Sequence, residues 1–244
     1  MKRVFADLHL CPRINDRSTT SQIIDKAAKL GYHQIAIPLN PRICNEEIAK
    51  LWKSFNKSEV DCATRIDLRP RNQNELTHQL RRLRRKFEVV CVACQNKAVA
   101  RQAAKDRRVD LLNFPLLDFR SRYFDRAEAE LASSSLAALE IDIKPLLVLK
   151  GPPRIRLLSS LRREAALAEK FDVPIVVSSG ISAERLLRKP REMAALASLF
   201  GLDEDSALKA VSHSPNAIIK RNREKLDAKF VGPGIRVVKE GKDC

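Results

Sequence analysis

Short runs of β-branched and aliphatic residues alternate along the chain with longer segments whose apolar positions recur every three or four residues. The short runs predict strands over 3–10, 34–38, 60–68, 89–93, 109–114, 136–143 and 174–178. Residues 145–149 read as an apolar extension of the sixth strand. The first helix has N-cap chemistry in Ser18-Thr19-Thr20-Ser21, runs through Lys29-Leu30 and is closed by Gly31. Further helices are predicted over 45–55, 74–86, 97–105, 125–133 and 156–170, and the chain is helical from the last strand to about Lys225. In the third helix Leu76, Leu80, Leu83 and Phe87 share a face, which leaves Arg81, Arg82 and Arg85 pointing away from it. In the fourth, Lys97, Arg101 and Lys105 stand at i, i+4 and i+8, while Val99, Ala100, Ala103 and Ala104 occupy much of the remainder. That basic side is expected to face water.

About seven consecutive βα units imply parallel strands with covering helices. The count favours a closed or nearly closed barrel, an α/β fold of distorted TIM-like (βα) architecture. No glycine fingerprint follows the first strand, and 7 glycines in the whole chain exclude a Rossmann or P-loop nucleotide site. One domain is expected over 1–225. Residues 226–244 form a C-terminal tail with a Gly232-Pro233-Gly234 turn, whose apolar positions (Phe230, Val231, Ile235, Val237, Val238) pack on the barrel or on a partner.

Charge changes this picture most. Lys and Arg total 46 against 30 Asp and Glu, a net charge of +16. The excess recurs through segments that read as folded, and a hydrophobic content of 44% suffices for a core. Guanidinium forks match phosphate oxygens in pairs, so the expected partner is a nucleic acid. With 9 Phe, 2 Tyr and 1 Trp, recognition by backbone and shape is expected over base stacking. No apolar run is long enough for a membrane span, and the N-terminus lacks the apolar stretch of a signal peptide. Six scattered cysteines (Cys11, Cys44, Cys62, Cys91, Cys94, Cys244) suit reduced thiols, so the chain is expected in the cytoplasm. Cys91 and Cys94 lie in a buried-strand pattern, where residues three apart face opposite ways, and read as core thiols.

Functional residues of a βα barrel lie just past the carboxyl ends of its strands. The first such position is Asp7-Leu8-His9, and the second strand is preceded by Gly31-Tyr32 and continues to Ile35-Ala36-Ile37. Both segments resemble the polymerase-and-histidinol-phosphatase superfamily of metal-dependent phosphoesterases, which share a distorted seven-stranded barrel. The ligands of that superfamily do not carry over. Cys11 stands for its second histidine, Leu39-Asn40 for its Asp-His, and Ser178-Ser179-Gly180-Ile181 for its last aspartate and histidine. A polynuclear site needs several converging carboxylates and imidazoles, and the chain has 4 histidines in all. No metal and no cofactor is therefore expected, and Asp7 and His9 read as a hydrogen-bonded pair at the mouth. The alternative is an active phosphoesterase using Asp7 and His9 with other carboxylates such as Asp67 and Asp118.

Several segments, taken in order, resemble the component 3 family of ribonuclease P proteins, the thirty-kilodalton subunits of RNase P. These are Asp7-Leu8-His9, Lys144-Pro145-Leu146-Leu147, Val177-Ser178-Ser179, Arg188-Lys189-Pro190-Arg191-Glu192-Met193, Ser212-His213-Ser214-Pro215-Asn216 and Gly232-Pro233-Gly234. The resemblance implies a ribonucleoprotein subunit in which RNA performs the cleavage that matures tRNA 5′ ends. The holoenzyme is then an endoribonuclease and the chain itself has no catalytic residue. The implied partners are the RNase P RNA, RNase P protein component 2, the other protein subunits and, indirectly, precursor tRNA. From charge and position, the expected RNA contacts are Arg65, Lys144, Ser178 and Ser179 at the mouth, Lys97, Arg101 and Lys105 on the fourth helix, and Arg185, Arg188 and Arg191 after the last strand.

Overall fold

Seven parallel strands pair in chain order: β1 (Ala6–Asp7), β2 (Gln34–Pro38), β3 (Asp61–Leu68), β4 (Val89–Ala93), β5 (Leu111–Asn113), β6 (Ala138–Asp142) and β7 (Ile175–Ser178). The computed structural model describes residues 3–14, 16–55, 59–114, 122–232 and 235–238. A parallel bridge between Leu10 and Ile181 closes the seam between first and last strands, and Gly180 N–H donates to the His9 carbonyl at 2.9 Å beside it. The barrel expected from the βα alternation is what forms.

Its strands are buried on both faces, which is why they read as continuous apolar runs rather than as alternation. Leu8, Ala36, Ala63, Val89, Cys91, Leu111, Ala138 and Val176 fill the lumen. The intervening residues, among them Ile35, Ile66, Val90, Leu112, Leu139 and Val177, pack outward against the helices. Cys91 and Cys94 are both buried, one in each layer.

The helices follow local signals. Helix α1 (Arg17–Leu30) is capped by Asp16, not by the serines and threonines after it, and ends on Gly31 at φ +96°. Helix α2 (Asn45–Phe55) follows β2, and Asn72 caps α3 (Gln73–Leu83). Asn96 caps α4 (Lys97–Lys105) and Asp125 caps α5 (Arg126–Ser135). The expected strand extension at 145–149 is instead helix α6 (Lys144–Val148). Pro145 sits in its first turn, where the missing N–H costs nothing and the fixed φ suits a helix. Helix α7 (Pro152–Lys170) begins four residues earlier than expected, for the same reason. Strand β1 is two residues long, because Leu8 to Leu10 bend into the seam.

After β7 come α8 (Pro190–Ala197), α9 (Glu204–Ala210) and α10 (His213–Leu226). Helix α10 plugs the barrel at the amino ends of its strands. Ile218 and Ile219 enter the luminal cluster, Asn216 donates to the Val4 carbonyl, and Asn222 donates to the Glu88 carbonyl. The tail pairs β8 (Phe230–Gly232) with β9 (Ile235–Arg236), and the expected turn at 233–234 lies outside the described residues. Val231, Ile235 and Val238 of this segment are exposed. Among the described residues no helix is long and apolar enough to cross a membrane.

Candidate functional site

Inward-facing positions near the carboxyl ends of the strands carry the polar residues. In β6 the pair Glu140 and Asp142, two apart, both enter the lumen, as do Arg65 and Asp67 in β3. Arg65 is fully buried and forms a two-pronged pair with Glu140, at 2.6 and 2.7 Å. Its Nε donates to Asp67 Oδ1 at 2.7 Å and its Nη1 also to the Leu8 carbonyl at 2.7 Å. Glu140 accepts further bonds from Ser178 Oγ at 2.8 Å and Asn113 Nδ2 at 3.0 Å.

Beside this pair, His9 bridges two carboxylates. Its Nδ1 donates to Asp142 Oδ1 at 2.8 Å, and Nε2 lies 3.3 Å from Asp67 Oδ2. Burial and the Arg65 charge disfavour a second cation here, but Asp142 and Asp67 outweigh them and hold the imidazole pKa well above its ordinary value. The two carboxylates thus bias His9 toward its charged form. Burial opposes ionisation of Asp67 and Glu140, yet Arg65 overrides it and keeps both below the usual carboxylate range. Arg65 and His9 thus face three carboxylates in one continuous network. Gly180 is required at its edge: φ is +63°, and a Cβ would lie 3.0 Å from Asp142 Cγ.

Asp7 accepts from the backbone N–H groups of His9 and Ser179, at 3.1 and 3.0 Å, so it orders the seam between β1 and β7. Burial raises its pKa. The hydrogen-bonded reading of Asp7 and His9 holds in part: they meet through the His9 backbone, while the imidazole bonds Asp142.

His9, Glu140 and Asp142 offer ligand atoms within 4.8 Å of one another. They do not fit a metal ion. Both Glu140 oxygens are engaged by the buried Arg65 fork, and both imidazole nitrogens face carboxylates. A metal would stand beside the permanent charge of Arg65 in a desolvated space, which the local charge disfavours. Asp118 lies outside the described residues.

The expected RNA contacts separate into two groups. Arg65, Ser178 and Ser179 have no exposed surface, so the network joins Arg65 and Ser178 through Glu140 as lining, and the expected mouth contact is corrected. Lys144 is half-buried at the start of α6. Arg101 does not present its charge to water as the helical spacing implied. It pairs with Asp125 at 2.6 Å and with the buried Glu128 at 2.7 Å, because α5 packs beside α4. Lys97 and Lys105, on the same helix, are exposed. Arg185 and Arg191 are exposed, and Arg188 donates to the Arg185 carbonyl at 3.2 Å. Sequence reasoning missed Asn113, Glu140 and Asp142. The available signal was Glu-x-Asp inside an otherwise apolar strand, where charges two apart must share the lumen.

Residues 4–227 match the family described as RNase P subunit p30. The chain is 36% identical over 234 residues to ribonuclease P protein component 3 of Methanosarcina barkeri, a match covering 96% of this chain and 95% of the relative. The protein of the same name from Methanosarcina acetivorans is 39% identical over 178 residues, 73% of each chain. Among solved structures, a chain of the archaeal ribonuclease P complex with mature tRNA superposes with TM-score 0.84 at 20% identity, over 98% of this chain and all of that one. A Xaa-Pro dipeptidase superposes with TM-score 0.59 at 9% identity, over 91% and 76%. These two likenesses concern the barrel alone.

Proposed function

The chain belongs to the RNase P subunit p30 family, and on that footing we propose that it is a protein subunit of ribonuclease P, supporting RNA-catalysed removal of 5′ leaders from precursor tRNA. The observation that carries this reading is similarity running through almost the entire chain to proteins named ribonuclease P protein component 3. The barrel mouth supports it in a second way. Where a metal-dependent phosphoesterase needs converging open ligands, this mouth holds a buried guanidinium already bonded to them. The chain then contributes positive charge and shape, lowering phosphate repulsion so that the catalytic RNA holds its active fold, in company with component 2.

Reconstitution tests this. Precursor tRNA cleavage by an archaeal RNase P RNA with its protein subunits is expected to fall when this chain is omitted and to recover when it is returned. The chain alone, with Mg²⁺ or Mn²⁺, is expected to leave precursor tRNA intact. Cleavage by the isolated chain that is lost on His9→Ala would overturn the reading in favour of the phosphoesterase.

A further inference from the structure

At the amino ends of the strands, three separate parts of the chain bring cations to one point. Arg84 follows α3 and Arg221 comes from α10, and both pair with Asp110, which precedes β5, while Lys225 lies one turn beyond Arg221 on α10 and in the field of both guanidiniums. Asp110 is 2% exposed in its side chain. It accepts hydrogen bonds from Arg221 and from the Val90 N–H, both at 2.9 Å, and forms an ion pair with Arg84 at 3.2 Å. One buried carboxylate therefore serves two guanidiniums. Lys225 is exposed, and its pKa is depressed, first by partial burial and then by Arg221 and Arg84, with Asp110 opposing them too weakly. Among the described residues Arg85 and Lys220, the chain neighbours of Arg84 and Arg221, and Arg81, three residues before Arg84, are exposed and make no ion pair. The groove of about 1040 Å³ along α10 continues the surface past Lys220 to His213 and Arg3.

Bases in the last turn of α3 would by themselves be explained by the negative end of that helix. Convergence from α10, more than a hundred residues away, is not explained that way. Nor is this an internally balanced ion-pair network like the one at the mouth, because Arg84, Arg85, Lys220, Arg221 and Lys225 still leave a positive excess after Asp110 and the exposed Glu224 are counted. An unbalanced, partly exposed cation cluster fixed by one buried anchor is the arrangement that recognises successive phosphates.

We infer that the base of the barrel, where α10 crosses it beside the end of α3, is an RNA phosphate-binding face built from Arg84, Arg221, Lys225 and the flanking Arg85 and Lys220. The inference rests on the RNase P reading and says which end of the barrel meets RNA.

The test compares two triple reversals in the full chain, Arg85→Glu/Lys220→Glu/Lys225→Glu at the base and Arg156→Glu/Arg163→Glu/Lys170→Glu on α7. Each takes the net charge from +16 to +10, at two units per reversal, so both change the overall field equally. With a transcript of an archaeal RNase P RNA as probe, the base variant is expected to bind at least about tenfold more weakly and to lose about two to three from the salt slope, at close to one per phosphate contact. The α7 variant is expected to retain most of its affinity and slope. Equal losses in both, or unchanged binding by the base variant, overturn the site and leave the RNase P reading standing. A wild-type chain that does not bind the transcript overturns both. If the base triple fails to fold, Lys220→Gln/Lys225→Gln, which touches no ion pair among the described residues, takes its place, and binding equal to wild type overturns the site.

Discussion

At the mouth of the barrel Arg65 and His9 are enclosed by Asp67, Glu140 and Asp142, whereas at the base Arg84 and Arg221 share Asp110, and Lys225 stands exposed in their field. The first arrangement spends its charge on itself. Every formal charge there has an opposite within hydrogen-bond distance or close to it, and little of it is exposed. The second leaves a surplus at the surface. In βα barrels the carboxyl end ordinarily carries function and the amino end stability. Here the charges divide the other way: the mouth holds the barrel together, and the base offers what a polyanion needs. At the mouth a buried guanidinium occupies the carboxylates that a cation would otherwise need.

The comparison breaks first at Arg65. Removing one partner of a buried pair leaves the other charge uncompensated, which costs about 3–5 kcal/mol. Arg65→Met should therefore lower the unfolding free energy measured in urea by that much, while Arg65→Met/Glu140→Leu should recover part of the loss. A single variant as stable as wild type would mean that the mouth network holds nothing together.

A smaller effect is expected at Arg101. Its loss leaves Glu128, which is fully buried, facing Asp125 without a cation. The expected cost at neutral pH is about 1–3 kcal/mol, read by chemical denaturation, with RNA affinity unchanged. An RNA defect without loss of stability would return Arg101 to the list of contacts.

Glu128 also gives the comparison a pH signature. Burial first, with Arg101 opposing it, raises its pKa to about 7 from an ordinary 4.5. Between those values the folded chain holds a proton that the unfolded chain has lost, so this group's contribution to stability declines as pH rises through the window and levels off above it. The slope from one such group is at most about 1.4 kcal/mol per pH unit. Glu128→Gln should remove that component from the pH dependence of unfolding. An identical slope in the variant would show that Glu128 titrates in its ordinary range.

These residues also mark how far a single sequence reaches. Seven strands and their helices were legible because burial on both faces writes each strand as an apolar run, and helical spacing writes the rest. The error at 145–149 arose from reading apolarity without the position of Pro145. Charge was legible as a sum but not as a map. Arg65 stands at a strand end where a basic residue reads as a contact, and nothing local reveals that Glu140 lies across the lumen. Arg101 has ideal spacing for an exposed stripe, yet its partners are 24 and 27 residues away on a neighbouring helix. Arg221 lies 111 residues from Asp110. Pairing across that distance is a property of the closed barrel, and only the barrel decides which cations are left over.

The smallest stability effect should come from Lys225, and it sharpens the contrast most. Lys225 is exposed and makes no ion pair among the described residues, so Lys225→Ala should change unfolding free energy by no more than about 0.5 kcal/mol. Its ammonium stands in the field of Arg221 and Arg84, so truncation relieves repulsion in the free protein as well as removing a contact from the complex. Both effects favour the unbound variant, and RNA affinity should fall even though stability holds or rises slightly. Side-by-side titrations of RNA and urea on Lys225→Ala and Arg65→Met should thus move opposite observables. If both variants change the same one, the two ends of the barrel do not differ in the way their charges suggest.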